Sequence, residues 1–261
     1  MQKIIQEWSK WIQSEPPYIL RADDEVLSLP KSLSSTAPVH TTWEGVYSQP
    51  DLGKPGDVKL QLGLIPHPFC GDILKAEVYV LMLNPGYGPQ DYYAELEVPS
   101  YREAAIKNLM QNFGKNSYPF YMLNPEFSWS SGFVWWHKKF ASIIDSISKN
   151  NGISYAEARK HLSQKVASIE LVPYHSTSFR DPVGWTKKLE SAKIARDFVN
   201  GYVLQRVRNN EAILIVTRQV REWNLPEHEN IVVYSNSEAR GAHLSSKSRG
   251  GKAIIKRLST V

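Results

Sequence analysis

Four short apolar segments, spread over the last two thirds of the chain, constrain its fold more than any other feature. They are AEVYVLML at 76–83, VASIELV at 166–172, EAILIVT at 211–217 and NIVVYS at 230–235. Continuous apolar runs of this length are typical of strands that are covered on both faces. Because helical patterns separate them, the sequence predicts an α/β fold, a three-layer sandwich with a central four-stranded parallel sheet flanked by helices.

Capping signals and apolar stripes predict the helices. Ser100 with Glu103, and Ser154 with Glu157, have the spacing of a capping box, which marks the start of a helix. Residues 132–147 place their large apolar side chains on one helical face. The predicted helices lie at about 2–13, 100–114, 132–147, from 154 onwards, 185–208 and in the C-terminal GGKAIIKRL.

The composition is that of an ordinary globular chain. Of its 261 residues, 42% are hydrophobic and 22% are charged, and no apolar run reaches the length of about 18 residues that a membrane helix needs. Cys70 is the only cysteine, so no internal disulfide can form. The N-terminal MQKIIQEWSKWIQSEPP has charged and polar residues where a secretion signal needs an apolar core. We therefore expect a cytoplasmic location and no membrane partner.

The charge of the chain leans towards polyanionic partners. Its net charge is +5, and the stretch HLSSKSRGGKAIIKRL near the C-terminus contains five basic residues and no acidic one. This stretch is either a solvated helix face or a patch that contacts phosphates.

Several common site motifs are absent. The sequence contains no GxxxxGK[ST] loop, no GxGxxG, no GxSxG and no HExxH. A P-loop, a dinucleotide site and an α/β-hydrolase nucleophile are therefore not expected. The seven histidines are scattered without metal-ligand spacing, so we predict neither a metal nor another cofactor.

Three loops nevertheless resemble those of a known family. VLMLNPGYG follows the first apolar strand, IELVPYHS the second and NSEARGAHLS the last. In this order, with LIPHPFCGDILKA upstream, they resemble the uracil-DNA glycosylase superfamily, and most closely its mismatch-glycosylase-like branches with Asn-Pro-Gly in the first motif. The resemblance spans residues 64–258. It implies a glycosylase-like catalytic domain at 64–261, preceded by an N-terminal helical and irregular extension at 1–63.

The Asn-Pro-Gly turn is the predicted catalytic loop. Hydrolysis of an N-glycosidic bond passes through a sugar with oxocarbenium character, and Asn84 could hold the attacking water by a hydrogen bond. Asn84 could instead merely cap the loop, as Asn-Pro often does. Candidates for the surface against which the extruded base lies follow the turn: Gly86, Tyr87, Tyr92 and Tyr93.

Glu170 is the candidate for reading the base. The resemblance places a base-reading side chain at or near this position of the second strand. An ionised carboxylate only accepts hydrogen bonds, so it suits the exocyclic amine of a cytosine-type base and repels O4 of uracil. The alternative is a Glu170 that faces an arginine or the solvent. His175, in PYHS, is either a donor that lines the pocket or a residue that packs the loop.

The last loop is expected to contact DNA and the departing base. The resemblance offers Asn236, Arg240 and His243 as alternatives for the residue that stabilises the leaving base. It makes Leu244 a wedge that fills the space of the extruded nucleotide, although Leu244 could instead simply anchor the loop. The predicted phosphate contacts are Ser245, Lys247 and Arg249.

Together these features predict a monofunctional DNA glycosylase that extrudes a modified, cytosine-type base from duplex or single-stranded DNA and leaves an abasic site. No lysine lies in the motif loops ahead of Lys247, which disfavours a Schiff-base mechanism. No obligatory protein partner is inferred. Defence against phage DNA is one hypothesis for its role. The alternatives are an ordinary uracil or mismatch repair glycosylase and a catalytically weak nucleic-acid-binding module of the same fold.

Overall fold

The chain forms two compact units. A computed structural model describes residues 2–10, 15–54, 58–115, 117–181, 184–218, 220–235, 238 and 244–259. The first unit consists of Met1–Pro68, Leu83–Asn112 and Glu170–Phe198. The second consists of Phe69–Met82, Phe113–Ile169 and Val199–Val261. The predicted extension at 1–63 thus belongs to the same unit as the loops that follow the first two apolar strands.

A mixed five-stranded sheet forms the centre of the second unit. The strands are β1 (Phe69–Cys70), β2 (Val78–Met82), β3 (Val166–Glu170, whose last residue belongs to the first unit), β4 (Ile213–Val216) and β5 (Ile231–Val233). Their order is β1-β3-β2-β4-β5. The β2–β4 and β4–β5 pairs are parallel, whereas β1 and β3 are antiparallel.

The α/β class and all four predicted strands are confirmed, but the prediction of a four-stranded parallel sheet is wrong. The additional strand β1 has only two residues, too few to show a periodic pattern, and it runs antiparallel to its neighbour. The predicted strands are recognisable because every residue of β2, β3 and β4 is buried. Strand β5 lies at the edge of the sheet and is only half-buried.

The helices of the first unit have between four and eleven residues. They are α1 (Lys3–Ser9), α2 (Asp24–Leu27), α3 (Pro30–Leu33), α4 (Trp43–Tyr47), α5 (Pro89–Glu97), α6 (Pro99–Leu109), α9 (Trp185–Lys188) and α10 (Glu190–Phe198), with a 3₁₀ turn at Arg21–Asp23. Helix α5 was not predicted. Helix α6 begins at Pro99 with Val98 as its N-cap, so the expected capping box at Ser100 does not form.

The helices of the second unit have between four and 21 residues. They are α7 (Ser131–Asn151), α8 (Tyr155–Lys165), α11 (Leu204–Arg208), α12 (Val220–Trp223) and α13 (Arg249–Leu258), with a π-helical turn at Val199–Val203 and 3₁₀ turns at Tyr121–Leu123 and Pro125–Phe127. The capping box at Ser154 and Glu157 is confirmed. The single helix predicted at 185–208 is instead divided, because Leu189 has an extended backbone.

The predicted stripe of α7 is buried as expected. Its members are Phe133, Trp136, Phe140, Ile143, Ile144 and Ile147. Helix α7 starts at the cap Ser130, whose hydroxyl accepts from the Phe133 N–H, and ends at Gly152, which has a φ of 62°. In the part of the chain that the structure describes, no helix is both long and apolar enough to cross a bilayer.

Candidate functional site

Two of the predicted loops lie against each other in the first unit. We call residues 83–88 the NPG loop and residues 171–178 the PYHS loop. The Val172 N–H donates to the Leu83 carbonyl (2.8 Å), and the Ser176 N–H donates to the Pro85 carbonyl (3.2 Å). Backbone hydrogen bonds therefore hold the turn that contains Asn84 directly beside the segment that contains His175.

The side-chain amide of Asn84 is fixed in one orientation. Its Nδ2 donates to the Pro85 carbonyl at 2.9 Å, the Tyr174 carbonyl at 3.3 Å and Ser176 Oγ at 2.9 Å. Turning the amide over would aim Oδ1 at two carbonyl oxygens, so the surroundings settle the orientation. Among the described residues, none donates to Oδ1. The half-buried Asn84 therefore presents its oxygen as an acceptor for a molecule outside the chain.

His175 braces the NPG loop from inside the unit. Its Nδ1 lies 2.8 Å from the Gly86 carbonyl oxygen, and its Nε2 lies 3.0 Å from the Ile65 carbonyl oxygen. The side chain is only 4% exposed. Both ring nitrogens thus face backbone carbonyls. This geometry fits a residue that packs the loop better than it fits a residue that donates a hydrogen bond to a substrate.

A buried polar cluster surrounds His175. The rings of His67 and His175 lie edge to face with centroids 4.5 Å apart. The Glu95 carboxylate, on α5, accepts from the Ile65 N–H at 2.8 Å. His67, Glu95 and His175, which we call the buried triad, each offer a possible metal-ligand atom, and these atoms lie within 4.8 Å of one another. Sequence spacing did not reveal this group.

Burial controls the protonation of this cluster. It raises the pKa of Glu95 to about 8, although the Ile65 N–H opposes the shift. Burial also places the pKa of His67 well below its usual value, and the charge of His175 adds to the effect. The pKa of His175 is lowered by burial as well, against the influence of Asp91. These pKa shifts favour the neutral forms of Glu95, His67 and His175, because a buried charge is costly unless an ion of opposite charge lies beside it.

Glu170, the last residue of β3, is buried. Its side chain is 7% exposed, and its backbone N–H donates to the Pro68 carbonyl at 3.0 Å. The alternative in which Glu170 lies on the solvent side is therefore wrong. The amide of Asn84 reaches the PYHS loop beyond Glu170, at Tyr174 and Ser176.

The chain matches no protein-family model, no curated protein and no solved structure. The resemblance to the uracil-DNA glycosylase superfamily therefore depends on the three sequence motifs.

The three predicted base-stacking tyrosines have different environments. Tyr92 is fully buried beside Val46 and Leu64, so it belongs to the core and is not a stacking surface. Tyr87 is half-buried against Tyr92, with ring centroids 6.1 Å apart. Tyr93 is 42% exposed. Only Tyr93, and part of Tyr87, can offer a ring to a ligand.

Two further aromatic residues, Trp43 and Tyr47, continue from Tyr93, and the sequence pattern did not reveal them. The ring of Trp43, on α4, lies 5.6 Å from that of Tyr93 and 5.8 Å from that of Tyr47, which is 53% exposed. Trp43, Tyr47 and Tyr93 form what we call the aromatic surface. Gly86 has open space where a side chain would begin, so its contribution is its carbonyl rather than the lack of a side chain.

The C-terminal loop, in the second unit, differs from its predicted role. The three candidates for stabilising the leaving base, Asn236, Arg240 and His243, lie outside the described residues. A wedge residue has to be exposed, but Leu244 is only 2% exposed. The loop-anchor interpretation of Leu244 therefore fits the structure, because a buried side chain cannot enter a base stack without rearrangement.

The predicted phosphate contacts of this loop are partly engaged within the chain. The Ser245 N–H donates to Ser248 Oγ, whose hydroxyl donates back to the Ser245 carbonyl. The Arg249 guanidinium forms an ion pair with Glu238 at 2.8 Å. Lys247 is exposed. Of the predicted contacts, Lys247 is thus the most accessible to a phosphate.

A basic surface that sequence analysis overlooked lies on α7 and beyond β4. Lys139 Nζ lies 5.0 Å from the ring centroid of Trp135, which is 38% exposed. Burial, and then the charges of Arg218 and Lys138, lower the pKa of Lys139. We call Trp135, Lys138, Lys139 and Arg218 the basic surface. The sequence WWHKK, with two lysines beside two tryptophans, was the signal that could have revealed it.

Proposed function

We propose that the chain is a monofunctional DNA glycosylase that hydrolyses the N-glycosidic bond of an extruded, modified cytosine and leaves an abasic site. The observation that supports this most is the state of the Asn84 amide. Its nitrogen is engaged by three acceptors, whereas its oxygen accepts from none of the described residues. A fixed, partly exposed oxygen acceptor is what the positioning of a hydrolytic water requires.

In the proposed reaction, Asn84 Oδ1 accepts a hydrogen bond from water and holds it on the face of the sugar opposite the base. The bond from C1′ to the base breaks as the sugar gains oxocarbenium character, and the water oxygen then bonds to C1′. The base leaves with the electron pair of the broken bond and takes up a proton from the solvent, while the attacking water loses one proton to the solvent. Asn84 cannot take a proton, so the rate depends on how well the water and the sugar are positioned.

Glu170 supports the choice of a cytosine-type base. Its carboxylate is buried, so water competes little for its oxygens. An ionised carboxylate would accept from the exocyclic amine of cytosine and would repel the O4 acceptor of uracil. The identity of the modified base then distinguishes a role in phage defence from a role in repair.

Two surfaces are the proposed contacts with nucleic acid. Lys138 and Lys247 are exposed, and Lys139 lies half-buried over Trp135, so their ammonium groups can meet phosphates. Tyr93 and Trp43 offer rings on which bases can stack, a mode that tolerates any base.

The proposal is tested by single-turnover incubation with oligonucleotides that contain uracil, cytosine or modified cytosines, scored for abasic sites. We expect cleavage at one modified cytosine and a loss of about 100-fold or more in Asn84→Ala, because water positioning contributes effects of this order. The control is Asn209→Ala, which removes an exposed amide bonded to Glu211. Uracil as the preferred base would refute the role of Glu170.

A nucleic-acid-binding module is the second candidate. The three hydrogen bonds of Asn84 are also what a loop cap would make. Salt-dependent binding of the same oligonucleotides without release of any base, unchanged in Asn84→Ala, would support this candidate and contradict the glycosylase.

A further inference from the structure

The buried triad has no part in the proposed base-release reaction, although it brings together two imidazoles and a carboxylate in the interior of the first unit. All three side chains are at most 5% exposed. We propose that His67, Glu95 and His175 bind one divalent transition-metal ion of the zinc type. This site does not depend on the proposed glycosylase activity, and its test measures metal binding.

The ligand chemistry favours a zinc-type ion over Mg²⁺ or Ca²⁺. Two histidines and one glutamate are a ligand set found in zinc proteins, where nitrogen and carboxylate oxygen bind at about 2.0–2.2 Å. Mg²⁺ and Ca²⁺ prefer six or more oxygen ligands. The triad offers a single carboxylate, so the harder ions are disfavoured.

The spacing of the triad is close to what one ion requires. Two atoms that each lie about 2.1 Å from one ion are at most about 4.2 Å apart. The ligand atoms of the triad lie within 4.8 Å of one another. The ligand atoms therefore have to move closer together, by rotation of the side chains, to surround one ion.

The hydrogen bonds of His175 are those of a metal ligand. A neutral imidazole has one N–H, yet both ring nitrogens of His175 face carbonyl oxygens, of Gly86 and Ile65. If Nδ1 donates to Gly86, the lone pair of Nε2 faces the carbonyl oxygen of Ile65, so two acceptors lie against each other. An ion at Nε2 removes this conflict, and the Nδ1–H to carbonyl bond is the usual outer-shell partner of a ligating histidine.

The charge of the interior also fits a cation. Asp91 and Glu95 are both buried residues of α5, about one helical turn apart. A dication would compensate these two carboxylates. All three residues of the triad are buried, and through His175 and Gly86 the ion would hold the NPG loop in place.

The test is a calorimetric titration of the full chain, first treated with a chelator, with Zn²⁺ and separately with Mg²⁺. We expect one equivalent of Zn²⁺ to bind and Mg²⁺ not to compete. Glu95→Gln and His67→Gln should each weaken Zn²⁺ binding by at least about 100-fold, since loss of an outer-shell partner alone costs about 10–100-fold. The control is His137→Gln, a half-buried histidine bonded to Tyr155, which should bind Zn²⁺ normally.

Two measurements on the unaltered chain test the site whether or not the triad variants fold. The unaltered chain loaded with Co²⁺ should show the visible absorption of a four- or five-coordinate site. In its Zn²⁺ complex, nitrogen NMR should show that His175 carries a proton on Nδ1 only. Absence of the cobalt bands, protons on both ring nitrogens of His175, or folded triad variants that bind Zn²⁺ like His137→Gln would each overturn the site.

Discussion

Asn84 Nδ2 donates a 2.9 Å hydrogen bond to Ser176 Oγ, across 92 residues of sequence. This contact and the Ser176 N–H to Pro85 carbonyl bond hold the NPG loop to the PYHS loop. The side chain on which catalysis would depend is thus oriented by a segment that follows a different strand. Any change at either residue is expected to affect both loops.

Asn84→Asp should destabilise the chain in a pH-dependent way. An ionised carboxylate at this position would lie beside the Pro85 and Tyr174 carbonyls and could not donate to them, at a cost of about 1–3 kcal/mol in the free energy of unfolding at pH 7. The protonated carboxyl group can donate. The pKa of the introduced carboxyl group is therefore raised in the folded state, and the loss of stability shrinks as the pH falls through it. Urea unfolding of both proteins at pH 7 and about pH 4 measures this, and an equal loss at both would contradict the geometry.

Asp23 should make the stability of the chain decrease as the pH rises. Burial raises its pKa, although Ser191 and Tyr174 donate to its carboxylate. The folded state then binds a proton more tightly than the unfolded state, so stability is lost as the pH rises from the ordinary pKa through the raised one. In Asp23→Asn this dependence is removed. The measurement is the free energy of unfolding of both proteins at several pH values between about 4 and 6. Towards pH 4, the unaltered chain should become as stable as Asp23→Asn or more stable. As the pH rises, it should lose stability relative to the variant.

Gly71→Ala should be strongly destabilising. Gly71 has a φ of 97°, and a Cβ there would overlap the Val166 carbonyl oxygen and lie 3.1 Å from Ala167 Cα. We expect a loss of at least about 2 kcal/mol in the free energy of unfolding, from strain and from displacement of β3. The matched control is Gly114→Ala, because a Cβ at Gly114 meets no atom within 4 Å. Similar thermal midpoints for the two variants would refute the explanation.

Lys139→Gln should weaken nucleic-acid binding in a salt-dependent manner. If Lys139 neutralises one phosphate, the slope of log affinity against log salt should fall by about 0.7–0.9. Lys149→Gln is the control, since Lys149 lies on the same helix and pairs with Asp145 at 2.7 Å. Fluorescence anisotropy with a labelled oligonucleotide measures both slopes. Equal slopes for the two variants would place the phosphates elsewhere.

Local sequence patterns were sufficient for much of the fold. The four apolar runs form strands, and the stripe from Phe133 to Ile147 is buried. Both were predictable because a buried strand needs a continuous run of apolar residues, and a buried helix face needs apolar residues at every third or fourth position. The box at Ser154 and Glu157 forms because its hydrogen bonds join residues only three positions apart. The pattern could not reveal β1, since two residues have no period.

Residue type alone also could not separate Tyr92 from Tyr93. The two are adjacent and chemically identical, yet one is in the core and the other is exposed, because α5 turns them to different faces.

By itself, the sequence determined the α/β class, the strands and the presence of an asparagine in a rigid turn, since each depends on interactions between near neighbours. Only the tertiary structure decided that the amide of Asn84 is anchored by Tyr174 and Ser176. It alone brought His67, Glu95 and His175 together. Contacts between residues so distant in sequence depend on how the chain packs, and no local spacing encodes them.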